Sequence, residues 1–128
     1  MKRHQELQNL SREHHNALQL VLKAKRAATS GDLALIEATA TACLTAFHAE
    51  LDPHFVVEET TLLPLLLAGG EDSLVAQVER DHRELRGLCL QLQRPDVSTL
   101  LAFAERLITH VRFEERQLFV VLERLLAA

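Results

Sequence analysis

Two segments of the sequence place a histidine and a glutamate four residues apart within otherwise apolar runs. The first is "DPHFVVEETTLLPLLL" at residues 52–67, which contains His54 and Glu58. The second is "HVRFEERQLFVVLERLL" at residues 110–126, which contains His110 and Glu114. Four residues advance an α-helix by about 6 Å and roughly one turn, so both members of a pair lie on one face. Imidazole nitrogen and carboxylate oxygen, without thiolate, suit iron, manganese or zinc.

The composition indicates a single helical domain over residues 1–128. Apolar residues make up 48% of the chain, glycine and proline contribute only 4 and 3 residues, and tyrosine is absent. Alanine, leucine, glutamate, arginine and glutamine dominate, and these residues favour helices. The net charge of −4 is spread along the chain, which argues against a nucleic-acid surface.

The first residues and the apolar runs also bear on localisation. "MKRHQELQNLSREHH" has no apolar stretch of the kind that a signal peptide needs, and "LLPLLLA" is too short to span a bilayer. Cys43 and Cys89 lie in apolar helical patterns, which favours reduced core thiols over a disulfide. We therefore expect a cytoplasmic protein that does not bind a membrane.

Three breaks divide the sequence into four helical segments. They are "TSGD" at 29–32, "AGGED" at 68–72 and "RPDVS" at 94–98, and each pairs glycine or proline with a residue suited to cap the next helix. The segments 3–28, 33–67, 73–93 and 97–127 show helical periodicity. Four helices with short connections predict an all-α, antiparallel up-down-up-down four-helix bundle. Pro53 and Pro64 predict a bend near 50–53 and a loosened final turn in the second helix.

Each predicted helix carries a histidine on its inward stripe, and two helices add a glutamate one turn later. A buried charge is costly unless it is paired or bound to a metal. A single inward histidine is more often a hydrogen-bonded core residue, and the two pairs could lie on the surface if the faces were assigned wrongly. Six such groups at one level favour two metal ions with bridging glutamates. The inward positions are Leu7, Leu10, His14, Leu18, Val21, Phe47, Leu51, His54, Glu58, Leu62, Leu66, Leu74, Val78, His82, Leu85, Cys89, Leu92, Ala104, Leu107, His110, Glu114, Leu118, Val121 and Leu125.

The sequence resembles the hemerythrin-like, or HHE cation-binding, family of four-helix bundles. The similar segments are "REHHNAL" at 12–18, "HFVVEETTLLPLL" at 54–66, "RDHREL" at 80–85 and "HVRFEERQLF" at 110–119. The resemblance implies a hemerythrin-like bundle with a non-haem centre of two Fe ions joined by an oxide or hydroxide bridge. By position, the metal ligands that it implies are His14, His54, Glu58, His82, His110 and Glu114.

Two departures separate this sequence from the oxygen-carrying members of that family. Those members have a further histidine one turn before the third-helix ligand, where this chain has Val78. Their last carboxylate follows its histidine by five residues, whereas Glu114 follows His110 by four. The set of four histidines and two glutamates is more similar to bacterial members implicated in nitric oxide response and iron-centre repair. With roughly six positions per iron, about one open position remains on each ion.

These observations favour a di-iron protein that binds O2 or NO as a carrier, store, sensor or scavenger. Peroxide is a further small ligand, and weak oxidase or peroxidase activity stays open, although a conventional enzyme is not expected. An iron donor or repair factor, and a structural bundle with zinc or no metal, are the alternatives. The chain has no tyrosine or tryptophan for a radical relay. Leu63 and Leu67 lie off the inward stripe and could support a homodimer.

Several neighbours of the six residues allow more than one interpretation. His15 could replace or supplement His14, but His14 lies on the centre of the stripe and is favoured. Glu59 and Glu115 are about 100° further round the helix than their neighbours, which predicts solvated surface. His48 is likewise expected on the surface.

Three further side chains are candidates for the wall of the site. Phe55 and Phe113 could line it or simply fill the core, which is the default for aromatic residues. Thr61 is the one hydroxyl nominated near the site, and its alternative is a helix threonine bonded to its own backbone.

Overall fold

The computed structural model describes residues 3–94 and 96–127, and these residues form four helices without a strand. The first helix is Gln5–Thr29 and the third is Asp72–Gln91. The second helix spans 33–68 and the fourth spans 97–127. The first helix packs mainly against the fourth, which also packs against the third. The predicted all-α, antiparallel four-helix bundle is confirmed.

The second and fourth helices are interrupted by π turns, in which the backbone bond reaches five residues back instead of four. In the second helix, α-helical segments Leu33–Ala46, Asp52–Val57 and Leu63–Ala68 alternate with π turns Phe47–Leu51 and Glu58–Leu62. In the fourth helix, Val97–Phe113 and Phe119–Ala127 flank the π turn Glu114–Leu118. Both glutamates of the two His–Glu pairs therefore stand at the start of a π turn.

The two prolines of the second helix each follow a π turn by two residues. Proline lacks an N–H and its ring crowds the carbonyl four residues earlier, so a regular α turn is disfavoured there. The N–H of Asp52 bonds to the carbonyl of Phe47, just before Pro53, which locates the predicted irregularity near 50–53. Before Pro64 the disturbance lies in the turn that begins at Glu58, while the final turn stays α-helical, so the predicted loosening of that final turn is wrong.

Side chains cap two of the three predicted breaks. Asp32 accepts a hydrogen bond from the N–H of Leu35, and Asp96 accepts one from the N–H of Thr99. The third break differs, since the residue before Asp72 makes no capping side-chain bond. There the chain turns through Gly70, whose φ of 78° favours glycine, and the second helix ends in a glycine-type C-cap.

The core consists of two apolar clusters with a polar layer between them. One cluster contains residues such as Val21, Phe47 and Leu107, together with both cysteines, which confirms their predicted core position. The other contains residues such as Leu7 and Leu66. The inward positions are buried except for Leu18, Leu74, Val121 and Leu125, which are half-buried. The buried polar and charged residues are His14, His54, Glu58, Asp81, His82, His110 and Glu114.

One of the two leucines expected on the outer surface is not exposed. Leu63 is buried in the second apolar cluster, so its expected role on an exposed dimer face is wrong. Leu67 is exposed as expected. Across the described part of the chain, no helix is both long and apolar enough to cross a membrane.

Candidate metal centre

The structure brings the six predicted ligands together in the polar layer, all of them buried. They form two groups of potential ligand atoms, and within each group these atoms lie within 4.8 Å of one another. Both groups contain Glu58 and Glu114, so the two groups share an edge. The first group is completed by His14 and His54, and the second by His82 and His110.

The Nε2 atoms of all four histidines point toward the two shared carboxylates. His14 Nε2 lies 2.8 Å from Glu114 Oε1, and His82 Nε2 lies 2.9 Å from Glu58 Oε1. The other two histidines approach the glutamate of their own helix. His54 Nε2 lies 3.4 Å from Glu58 Oε2, and His110 Nε2 lies 3.3 Å from Glu114 Oε2.

Four buried atoms at this centre have no hydrogen-bond partner in the described part of the chain. They are Nε2 of His54, Nε2 of His110, Oε2 of Glu58 and Oε2 of Glu114. A buried polar atom without a partner costs roughly 1–3 kcal/mol, so such atoms need an explanation. A cation in each of the two ligand groups would supply the missing partners, since His54 belongs to one group, His110 to the other, and both glutamates to both. The nitrogen and oxygen donors fit iron, manganese or zinc.

The outer nitrogen of each histidine meets a second carboxylate. A metal-binding histidine usually donates its second N–H to such a group, which fixes the tautomer and the ring orientation. The four outer contacts are His14 Nδ1 to Glu115 at 2.6 Å, His82 Nδ1 to Glu59 at 2.7 Å, His54 Nδ1 to Glu13 at 3.1 Å and His110 Nδ1 to Asp81 at 2.9 Å. With Nδ1 held from outside, Nε2 is left to face the centre.

The centre repeats itself between the two halves of the chain. Residues 13 and 14 of the first helix have the roles of residues 81 and 82 of the third, a shift of 68. Residues 54, 58 and 59 of the second helix have the roles of 110, 114 and 115 of the fourth, a shift of 56. Each pair of helices therefore supplies the same set: two histidines, one shared glutamate and two outer carboxylates.

A comparison with known protein families agrees with this geometry. The model of the hemerythrin HHE cation binding domain matches residues 5–122, which is nearly the whole chain. The chain belongs to this family. The comparisons with curated proteins and with solved structures found no significant match.

In this hemerythrin HHE domain the sequence prediction for Glu59 and Glu115 is wrong. Neither is solvated surface, since each contacts a histidine of the centre and its side chain is only 28% and 30% exposed, respectively. Arg86 donates two hydrogen bonds to Glu59, at 2.8 and 3.1 Å, and Ser11 donates one to Glu115 at 2.8 Å. In the sequence, the available signal was that each of the two His–Glu pairs ends in two consecutive glutamates.

Glu13 and Asp81 are functional candidates that the sequence analysis missed. Each directly precedes a histidine of the centre, in "REHH" and "RDHR", yet each contacts a different histidine on a neighbouring helix. The repeated acidic residue before histidine was the signal available.

The other neighbours of the centre divide as follows. His15 and His48 are exposed and belong to neither ligand group, so of the two adjacent histidines the structure places His14 at the centre. Thr61 is exposed, and its hydroxyl donates to the carbonyl of Val57 at 2.6 Å. Thr61 is therefore a helix threonine bonded to its own backbone, as the alternative prediction had it, and its placement near the site is wrong.

Aromatic rings stack on two of the histidines. The Phe55 ring lies 4.0 Å from the ring of His82, with 14° between their planes. Phe119, which the sequence analysis did not nominate, lies 5.3 Å from His14 at 12°. Phe113 is more distant, at 6.4 Å from His110. Phe55 therefore serves both roles considered for it, because it is buried core and also a wall of the centre.

The buried charges of the centre shift one another's pKa values. Burial lowers the pKa of His54, but Glu114 and Glu58 outweigh burial and raise that pKa to about 11. Burial also lowers the pKa of His110, while the charge of Glu114 and the bond to Asp81 raise it to about 10. Burial and the charge of Glu114 raise the pKa of Glu58. Burial acts to raise the pKa of Glu114 too, but His110 and the other partners hold it well below its usual value. Without a metal, protonated imidazoles supply the positive charge that the carboxylates need.

Proposed function

We propose that this hemerythrin HHE domain holds two iron ions at the six buried side chains and binds O2 or NO there. The observation that supports this most directly is the pair of ligand groups that share Glu58 and Glu114. Four imidazoles face these carboxylates through Nε2. Four buried atoms of this cluster have no hydrogen-bond partner among the described residues, and bound cations would satisfy them. A surface ion-pair cluster would not leave such atoms buried.

In this proposal the residues have distinct tasks. His14 and His54 hold one ion, His82 and His110 hold the other, and Glu58 and Glu114 contribute to both. Iron, when bound, supplies a redox-active centre with affinity for diatomic gases. The outer carboxylates accept hydrogen bonds from the Nδ1–H groups, which keeps each Nε2 lone pair directed at its ion.

The surroundings of the centre support a small ligand rather than an organic substrate. The polar layer is enclosed between two apolar clusters, and Val78 and Leu10 fill the positions one turn before His82 and His14. Val78 is fully buried, and no donor atom extends from it toward an ion. Apolar walls exclude bulk water and organic substrates, whereas a diatomic molecule is small enough to pass between side chains as they move.

The test is an iron assay with a near-ultraviolet spectrum on protein reduced without oxygen. The chain has no tryptophan or tyrosine, so the protein itself hardly absorbs there. We expect two irons per chain and a new absorption band on addition of gas, with O2 and NO supplied to separate samples. A band that reverses when one gas is removed identifies that gas as the ligand.

A Glu58→Ala, Glu114→Ala double variant is the matched control, because it lacks both shared carboxylates while the four histidines remain. It should show neither iron nor the band. If the wild-type protein purifies with zinc or without metal and takes up no iron, the proposal is wrong and the bundle is structural.

A further inference from the structure

The outer carboxylates of the two halves differ strongly in exposure at one equivalent pair, Glu13 and Asp81. Their neighbours match well, since the other two outer carboxylates, Glu59 and Glu115, have nearly equal side-chain exposures of 28% and 30%. The side chain of Asp81 is 5% exposed where it contacts His110, whereas that of Glu13 is 43% exposed where it contacts His54.

Asp81 is held in place by a second residue. Its Oδ2 lies 2.9 Å from His110 Nδ1, and its Oδ1 accepts a hydrogen bond of 3.0 Å from Gln77, one turn earlier in the third helix. Both carboxylate oxygens are thereby committed, and the group is buried. The orientation of His110 is therefore fixed by a carboxylate that neither water nor thermal motion readily displaces.

Glu13 has no equivalent support. The residue that corresponds to Gln77 by the shift of 68 is Asn9, and its side-chain oxygen accepts from Arg12 instead. Among the described residues, Glu13 has His54 as its only hydrogen-bond partner, at 3.1 Å. This contact is also longer than the 2.9 Å contact of Asp81.

Solvent has direct access to Glu13. Glu13 lines a surface cavity of about 880 Å³ between the first and second helices, together with Leu10 and Val57. It also lines a second cavity of about 280 Å³, together with Leu51. Water in either cavity can hydrate the Glu13 carboxylate and so compete with its contact to His54. An exposed ion pair contributes little, because solvent screens it and both partners are hydrated when apart.

We propose that the two metal positions are inequivalent: the ion held by His14 and His54 is labile, and the ion held by His82 and His110 is retained. An orienting carboxylate typically changes metal affinity by about 10- to 100-fold. At the retained position, the buried Asp81 orients His110. At the labile position, the exposed Glu13 orients His54 only weakly. The inequivalence of the two ions rests on the proposed function only in that both positions hold metal, and it does not depend on gas binding.

The test uses cobalt(II), which accepts the same nitrogen and oxygen donors and absorbs visible light when bound. Protein loaded with two cobalt ions is mixed with excess chelator, and the loss of cobalt absorbance is followed with time. We expect two phases of one ion each, with rates that differ by about tenfold or more. Release of both ions in a single phase overturns the proposal.

Two ligand variants assign the phases to positions. His14→Ala should retain one ion that leaves at the slow rate, and His82→Ala should retain one ion that leaves at the fast rate. The opposite assignment overturns the proposal. These outcomes are independent of the iron and gas measurements, so a failure of the proposed function would be seen separately.

A matched pair of near-isosteric variants tests the cause. Asp81→Asn should accelerate the slow phase by about 10- to 100-fold and alter the visible spectrum of the slowly released ion. Glu13→Gln should change the fast phase by at most about fivefold, the ratio expected for an exposed ion pair. An equal or larger effect of Glu13→Gln overturns the proposal, and melting curves confirm that both variants fold.

Discussion

In each histidine of the centre, one ring nitrogen faces inward and the other faces outward, and each meets a carboxylate. Nε2 faces the shared glutamates, and Nδ1 faces an outer carboxylate such as Glu115 at His14 or Asp81 at His110. A carboxylate beside Nδ1 accepts a hydrogen bond from Nδ1–H, which favours the tautomer whose Nε2 lone pair can bind a metal. All four histidines have this orientation, which indicates that their Nε2 atoms share a partner at the centre.

The adjacent histidines of the first helix provide a test at single-residue level. We expect His14→Ala to lose at least one of the two irons, because the buried imidazole at Glu114 disappears. His15→Ala should keep both irons, since His15 is exposed and lies outside the ligand groups. Iron counted per folded chain decides this, and a larger loss in His15→Ala would move the ligand to that residue.

Glu58 belongs to both ligand groups, so its removal should affect both ions. Glu58→Ala is expected to retain no more than half of the wild-type iron. Glu50→Ala is the control, as Glu50 is an exposed glutamate of the same helix. Iron analysis after gel filtration measures the difference. Full iron retention in Glu58→Ala would contradict a shared role for this carboxylate.

The raised pKa values of His54, to about 11, and His110, to about 10, predict that metal and protons compete. At pH 7 both imidazoles are protonated in the metal-free protein, and each must lose its Nε2 proton when a metal binds. Metal affinity should therefore fall as the pH decreases from about 9 to 7.

Calorimetry checks this coupling. Metal titrations at pH 7 in two buffers of different ionisation enthalpy should show net release of at least the protons of His54 and His110. A titration enthalpy that is the same in both buffers would mean that no protons leave, and the protonated state of these imidazoles would be wrong.

At the level of the helices, π turns position the glutamates. The π turn Glu58–Leu62 corresponds to Glu114–Leu118 by the shift of 56. The fourth helix makes its turn without a proline, so packing around the centre suffices to stabilise it. The π turn Phe47–Leu51 has no counterpart, since residues 103–107 are α-helical, and Pro53 accounts for it.

The two prolines should therefore respond differently to substitution. Pro64→Ala is expected to leave two irons bound, because the turn at Glu58 does not require the proline. Pro53→Ala is expected to allow an α turn at Phe47–Leu51, which would rotate the preceding segment relative to His54 and change the free energy of unfolding. Iron analysis and chemical denaturation compare the two variants. Loss of iron in Pro64→Ala would show that the proline, and not packing, sets the turn.

At the level of the whole molecule, a buried polar layer separates the two apolar clusters. A metal that binds this layer only in the folded state would stabilise the fold. A ligand that binds only the folded state adds about 2.7 kcal/mol at a free concentration of 100 times its Kd. At that free concentration we expect iron or zinc to raise the free energy of unfolding by about this amount for each ion bound.

Urea denaturation with and without metal measures the effect. Mg²⁺ is the control, because it prefers an octahedral set of oxygen ligands and keeps several waters. It should leave the unfolding curve nearly unchanged. The same free energy of unfolding with and without iron or zinc would show that the buried layer does not bind these ions.

The sequence by itself determined the bundle and its six central residues. Helical periodicity fixes which side chains share a face, and glycine, proline and capping residues mark where a helix ends. His14, His54 and Glu58 lie in line with apolar residues, so their burial follows from the pattern alone. The same argument places their equivalents in the third and fourth helices.

The tertiary structure decided the roles of residues beside that face. Glu59 and Glu115 are about 100° away from the stripe, where a side chain meets either solvent or the next helix, depending on interhelix distance. Leu63 was misplaced for a different reason, since a π turn precedes it and shifts the direction of its side chain. The different exposures of Glu13 and Asp81 depend on how closely neighbouring helices approach, and that distance is a property of the packed bundle rather than of any one segment.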